Sequence, residues 1–115
     1  MTVQSNWALP ETLQLLADAG DAELVQEIID MFKSDTARRL LLLREALAQM
    51  DAARVGQQAH AIKGSAIQVG AESLASLCQR IETEAPARPC MELEPLVTQA
   101  EVDFEGLCRA EAIFP

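Results

Sequence analysis

Residues 60–82 read HAIKGSAIQVGAESLASLCQRIE, and two helical periods separated by one glycine run through them. Before the break, Ile62, Ala66 and Val69 recur at steps of three and four; after it, Leu74, Leu77, Cys78 and Ile81 do the same. Such spacing lines one face of an α-helix, whereas a half-buried strand would alternate. Gly70 suits the left-handed residue that ends a helix. The stretch therefore predicts two helices joined by a very short connection, which favours antiparallel neighbours.

Working outward, Asp51 is a good N-cap for the first of these helices, which runs to Val69 and adds Ala52, Val55 and Ala59 to its buried stripe. Ahead of it lie Leu24, Ile28, Phe32, Leu40, Leu43, Leu47 and Met50, with Thr36 filling the gap. That spacing predicts one helix of about 29 residues, roughly 40 Å long, capped by Asp21 and with Ser34–Asp35 as the place where it would bend. A short helix from Pro10 to Gly20 carries Leu13, Leu16 and Ala17 on one face. Downstream of the quoted stretch the fourth helix ends near Ala85, and Pro86 and Pro89 break the chain. A fifth helix then carries Leu93, Leu96, Val97, Ala100, Phe104, Leu107 and Cys108 on one side. The predicted fold is all-α: an antiparallel up-down-up-down four-helix bundle, with an additional short N-terminal helix packed across one end. Residues 1–115 read as one domain, with 1–9 as an N-terminal extension and 112–115 as a C-terminal tail.

Composition agrees with a small helical core. Half of the 115 residues are hydrophobic, while only three Phe, one Trp and no Tyr are present, so Leu and Ala must fill the interior. The formal net charge is −9 and no run of Lys and Arg occurs, which argues against nucleic acid and against anionic membrane surfaces as partners. Cys78, Cys90 and Cys108 form no CxxC pair, so a zinc site is not expected. Three reduced thiols fit a cytoplasmic protein. Met1–Trp7 lacks the cationic start and apolar run of a signal peptide, and the longest apolar run, Leu40–Leu43, is far too short to span a bilayer.

The chain has a single histidine, His60. At about 100° per residue it points well away from the stripe of Val55, Ile62, Ala66 and Val69. Its own face holds Ala53, Gly56, Gln57, Lys63, Gly64 and Ile67, so the imidazole is expected to be exposed with a glycine about one turn to either side. Glycine within a helix costs about 0.5–1 kcal/mol relative to alanine, and two of them around one exposed histidine call for a reason. Clearance is one: without side chains at 56 and 64, another protein's surface can approach the ring. Tight packing at Gly64, or the early helix position of Gly56, is the other. For Gly56 the two readings stand level; for Gly64, which points the same way as His60, clearance is preferred. Lys63 is placed to offset a phosphoryl group of about −1.5 to −2 charges, although a solvated surface lysine is the commoner case.

The same stretch resembles the signature of histidine phosphotransfer (HPt) domains of multistep two-component phosphorelays. That signature is H-x-aliphatic-K-G-small-small, then x-x-aliphatic-G, then spaced apolar positions on the next helix. Here those positions are His60, Ile62, Lys63, Gly64, Ser65, Ala66, Val69 and Gly70, followed by Leu74, Leu77, Cys78 and Ile81. The resemblance implies that His60 is the phosphoacceptor through Nε2. It also places Lys63 and Gly64 at the charge-neutralising and clearance positions. The family commonly has Gln or Glu where Glu82 stands, which would accept a hydrogen bond from Nδ1–H and leave Nε2 free to attack. On the helix wheel Glu82 lies at the edge of the buried stripe, so the orienting role and an ordinary exposed glutamate remain open together. Position 67 is often small in the family. Ile67 departs from that as part of an apolar docking surface, as an obstruction beside His60, or by turning into the bundle.

The resemblance further implies receiver domains of hybrid sensor kinases and response regulators as partners, with the phosphoryl group coming from an aspartyl phosphate. Gly56, Gln57 and Ile67 are candidate docking residues, and Arg38 and Arg39 could meet acidic partner surfaces. No cofactor is expected on this chain, and Mg²⁺ is expected on the receiver. The chain has no glycine-rich phosphate loop, so autokinase activity is not expected. A monomer is expected. A helical adaptor that binds a kinase or receiver domain without chemistry is the alternative, and a hydrolase finds no support in one histidine and no Gly-x-Ser-x-Gly elbow.

Overall fold

The computed structural model describes residues 7–110. Its helices are α1 (Glu11–Leu16), α2 (Ala22–Ala48), α3 (Ala52–Gln68), α4 (Glu72–Glu84) and α5 (Glu94–Arg109). A wide helical turn, Ala17–Asp21, joins α1 to α2, and a 3₁₀ turn, Cys90–Leu93, leads into α5. The long helices form the predicted up-down-up-down bundle. α3 packs most extensively on α4, then on α2, and α5 closes the bundle against α4 and α2.

The stripes meet in one core. Ile62, Leu74, Cys78, Ile81, Leu93 and Val97 have no solvent exposure. Gly70 adopts φ +78°, and an added Cβ would lie 2.7 Å from the Ala8 carbonyl oxygen and 3.0 Å from Pro10 Cδ. Glycine is required there twice over, by backbone conformation and by close approach. Asp51 caps α3 as expected, accepting from the Arg54 backbone N–H at 3.2 Å. Across the opposite seam, Arg44 of α2 donates to Glu101 at 2.6 Å and also contacts Glu94 and Thr98 of α5.

Several expectations are corrected. On the N-terminal half of α2 the buried residues are Val25 and Ile29, while Leu24 is 46% exposed and Ile28 half-buried. Successive four-residue steps drift by about 40° each, so Leu24, Ile28, Phe32, Thr36 and Leu40 would wrap around the helix. Val25, Ile29, Phe32 and Thr36 stay on one face. Both registers are apolar at the first two positions, so the pattern alone could not choose. Met50 is exposed at φ +58° in the α2–α3 turn and is not part of the stripe. Asp21 makes no side-chain cap; the chain stays helical through the preceding turn and kinks at Gly20, φ +100°. α2 runs unbroken through Ser34–Asp35. On α4 and α5, Leu77 and Leu107 are only half-buried and Cys108 is exposed.

The N-terminal segment contributes more than an extension would. Trp7 and Leu9 are buried, Trp7 Nε1 donates to the Val69 carbonyl at 2.9 Å, and its ring meets Phe32 edge-on at 5.7 Å. Phe32 in turn meets Phe104 at 6.3 Å, so an aromatic row links the N-terminal segment, α2 and α5. Residues 1–6 and the tail 112–115 lie outside the described residues.

Among the described residues Thr36 is the one polar residue at a buried position, and its hydroxyl has no hydrogen-bond partner there. An unsatisfied buried donor costs about 1–3 kcal/mol. Thr36→Val keeps the shape and removes that cost. It should stabilise the protein by about 1 kcal/mol, read as a higher urea midpoint with an unchanged slope. A lower midpoint would mean that the hydroxyl is satisfied in solution.

Candidate functional site

The site is built on the facing surfaces of α3 and α4. His60 projects from α3 with its side chain 67% exposed, and its Nδ1 lies 2.8 Å from Glu82 Oε2 on α4. The other oxygen of the same carboxylate, Oε1, accepts from Lys63 Nζ at 2.8 Å. Lys63 also donates to Gln79 Oε1 at 2.9 Å. Its side chain is only 19% exposed, so the stem is packed and the ammonium is held at the helix seam.

Electrostatics fixes the roles of the ring nitrogens. The hydrogen bond from Lys63, and secondarily the one from His60, hold the Glu82 carboxyl below its ordinary value against the opposing effect of burial. The carboxylate is therefore ionised at neutral pH and can only accept. Nδ1 must then carry the proton that it shares with Glu82, and in the neutral ring the Nε2 lone pair is left free. Among the described residues no hydrogen bond reaches Nε2. The arrangement can present a neutral imidazole as a nucleophile with a fixed tautomer, its attacking atom turned to solvent.

The surroundings are open. An added Cβ at Gly64 would meet no atom within 4 Å, and one at Gly56 would touch only Ala85 Cβ at 4.0 Å, an ordinary contact. Neither has a positive φ. Helix packing therefore demands glycine at neither position, and the tight-packing reading of Gly64 is excluded. Gly56 and Gln57 border a groove of about 620 Å³ that runs beside His60 between α3 and the end of α4, with Ala53 and Pro86 on its walls. On the far side of Lys63 a second groove, about 520 Å³, is bordered by Ile67, Ser76 and Gln79. Ile67 is 60% exposed, so it does not turn into the bundle.

Of the residues expected at the site, His60, Lys63 and Glu82 are brought together and Gly56, Gln57, Gly64 and Ile67 surround them. Arg38 and Arg39 are instead paired with Asp35, both at 2.9 Å, and Arg39 also reaches Gln58 across the α2–α3 seam at 3.2 Å. Gln79 and Thr83 were missed by sequence reasoning. Gln79 Nε2 donates to Thr83 Oγ1 at 2.9 Å, extending the polar chain by one link. The available signal was positional: Gln79 lies three residues before Glu82 on the same helix face. Among the described residues no group of three or more His, Cys, Asp or Glu could hold a metal ion, and no helix is long and apolar enough to cross a membrane.

Known proteins share this arrangement of helices. The family model described as the Hpt domain matches residues 27–109. The chain is 26% identical over 98 residues to histidine-containing phosphotransfer protein 2 of Arabidopsis thaliana, covering 83% of this chain and 63% of that protein, so it spans less than two thirds of the relative's length. Among solved structures, histidine-containing phosphotransfer protein B (HptB) of Pseudomonas aeruginosa PAO1 is similar with a TM-score of 0.71 and 28% identity, over 84% of each chain. The HPT domain of an Hpt sensor hybrid histidine kinase from Shewanella superposes with a TM-score of 0.67 at 23% identity, again over 84% of each chain, a likeness of fold. With the family model matching well over half of its length, this chain belongs to the Hpt domain family.

Proposed function

We propose that this protein is a phosphoryl carrier in a phosphorelay, taking the group from a receiver-domain aspartate onto His60 Nε2 and passing it to another receiver domain. The observation that carries the reading is the exposed imidazole with Nδ1 held by Glu82 at 2.8 Å, on a scaffold of this family. In the forward step the Nε2 lone pair forms the N–P bond while the acyl-phosphate O–P bond breaks, and the aspartate leaves as a carboxylate. The ring gains positive charge as the bond forms, and Glu82 offsets it from the Nδ1 side. Lys63 offsets the charge on the phosphoryl oxygens. Transfer to the second receiver is the same step reversed. Positioning and charge stabilisation supply the catalysis.

The receivers of hybrid sensor kinases and of response regulators are the partners on this reading. Gly56, Gln57 and Ile67 lie on the surface that a receiver would cover, and Mg²⁺ would be supplied by the receiver. The chain itself would have no autokinase activity and would act as a cytoplasmic monomer.

Incubation with a phosphorylated receiver domain should place an acid-labile phosphate on this protein, and His60→Gln should abolish it without loss of helix, since the side chain is mostly in solvent. Binding to the receiver with no such phosphate would instead support a non-catalytic adaptor. Gly64→Gln should leave thermal stability unchanged or raise it by about 0.5–1 kcal/mol, while slowing transfer by up to about 100-fold as the partner is held off the ring. Equal rates for Gly64→Gln and the native protein would remove the clearance argument. Lys63→Ala should shorten the phosphohistidine lifetime or slow transfer with the bundle intact; unchanged values for both would reduce Lys63 to a structural partner of Glu82.

A further inference from the structure

The polar chain on α4 does more than surround His60. Gln79, Glu82 and Thr83 share one face of that helix, and Lys63 reaches two of them at once. An ammonium only donates, so the Gln79 amide must turn its oxygen toward Lys63. Its NH₂ is thereby left for the Thr83 hydroxyl, at 2.9 Å. In the order Thr83–Gln79–Lys63–Glu82–His60 each donor and acceptor is thus fixed, with Lys63 donating to both of its neighbours and Glu82 accepting from both of its own.

Lys63 has two partners of different kind. Glu82 is a carboxylate that also serves the ring, whereas Gln79 is a neutral amide whose other hydrogen bond goes to Thr83 and not to the ring. A carboxylate holds an ammonium by charge and competes with a phosphoryl group for it. An amide holds it by one hydrogen bond and leaves its charge available. Resting on the phosphotransfer reading, we infer that Gln79, oriented by Thr83, is a positioning residue. It tethers the Lys63 ammonium at the α3–α4 seam, so that the ammonium passes from Glu82 to a phosphoryl group on His60 without swinging into solvent. Of its three N–H groups, one stays on Gln79 while another changes partner.

The test has two independent arms. In the unphosphorylated protein, NMR relaxation of the Lys63 side chain should show greater mobility in Gln79→Met and a smaller increase in Thr83→Val, with thermal stability unchanged. In transfer assays with a phosphorylated receiver, Gln79→Met should slow phosphorylation of His60 or shorten the phosphohistidine lifetime by about three- to fivefold, the size expected for a partly exposed charged hydrogen bond. The same change in a Lys63→Met background should have no further effect. The tether is overturned if Lys63 stays as ordered in Gln79→Met as in the native protein, or if the loss is the same size with Lys63 already replaced. Failure of a receiver to label the native protein would bring down the phosphotransfer reading instead, while the relaxation arm would still decide whether Gln79 holds Lys63.

Discussion

The register of α3 against α4 is the constraint on which the site depends. Two of the three cross-helix contacts of the site, His60 with Glu82 and Lys63 with Gln79, are centred on position 71, immediately after the reversal at Gly70. One turn therefore sets two polar contacts at once. That turn is held by more than its glycine: the Val69 carbonyl accepts from Trp7, and the backbone at Ala8 lies where a Cβ at 70 would go. A slip of one residue along either helix would rotate its side chains by about 100° and move them about 1.5 Å, and the shared carboxylate would lose both partners. The N-terminal segment, far from His60 in sequence, is thus part of what aligns it.

Stability and the site draw on different parts of the molecule. The core is a continuous apolar interior in which Thr36 is the lone polar intrusion among the described residues. The site sits on the outer wall, where exposed ion pairs contribute little, about 0–1 kcal/mol each. Glycine at 56 and 64 costs helix propensity that no intramolecular contact offsets. The bundle tolerates this because the apolar faces of α3 and α4 hold their register without help from the polar groups above them. The outer wall is consequently free to carry an open imidazole and bare backbone.

Much of this was legible in the sequence because two strong signals coincide between His60 and Glu82. Apolar positions at helical spacing gave both helices and their junction, and the polar face between them gave the histidine and its glycines. The less legible parts have physical causes. Leu24–Val25 and Ile28–Ile29 are adjacent apolar pairs, so either member could face inward, and only packing on the rest of the bundle selects the second of each. Trp7 stands outside any periodic segment, and its burial depends on a carbonyl 62 residues away. Asp21 has the chemistry of a cap, but the helical turn ahead of it leaves the cap unused. Gln79 is an ordinary exposed helix residue until the position of Lys63 across the seam is known.

The charge balance at Glu82 explains why its two contacts belong together. An ionised carboxylate fixes the ring's tautomer by accepting from Nδ1, which leaves the Nε2 lone pair free. The Lys63 ammonium sits on the other oxygen of that carboxylate at the same 2.8 Å, where it offsets the carboxylate's own charge. The ring is oriented by one oxygen while the other is neutralised. On the proposed phosphotransfer reading, the arrival of a phosphoryl group changes the balance: the ring becomes cationic as the N–P bond forms, and the ammonium is wanted beside the new oxygens. On that reading, moving Lys63 from the carboxylate toward the phosphoryl group would answer both needs together, because it would restore the full negative charge of Glu82 at the moment the ring becomes cationic.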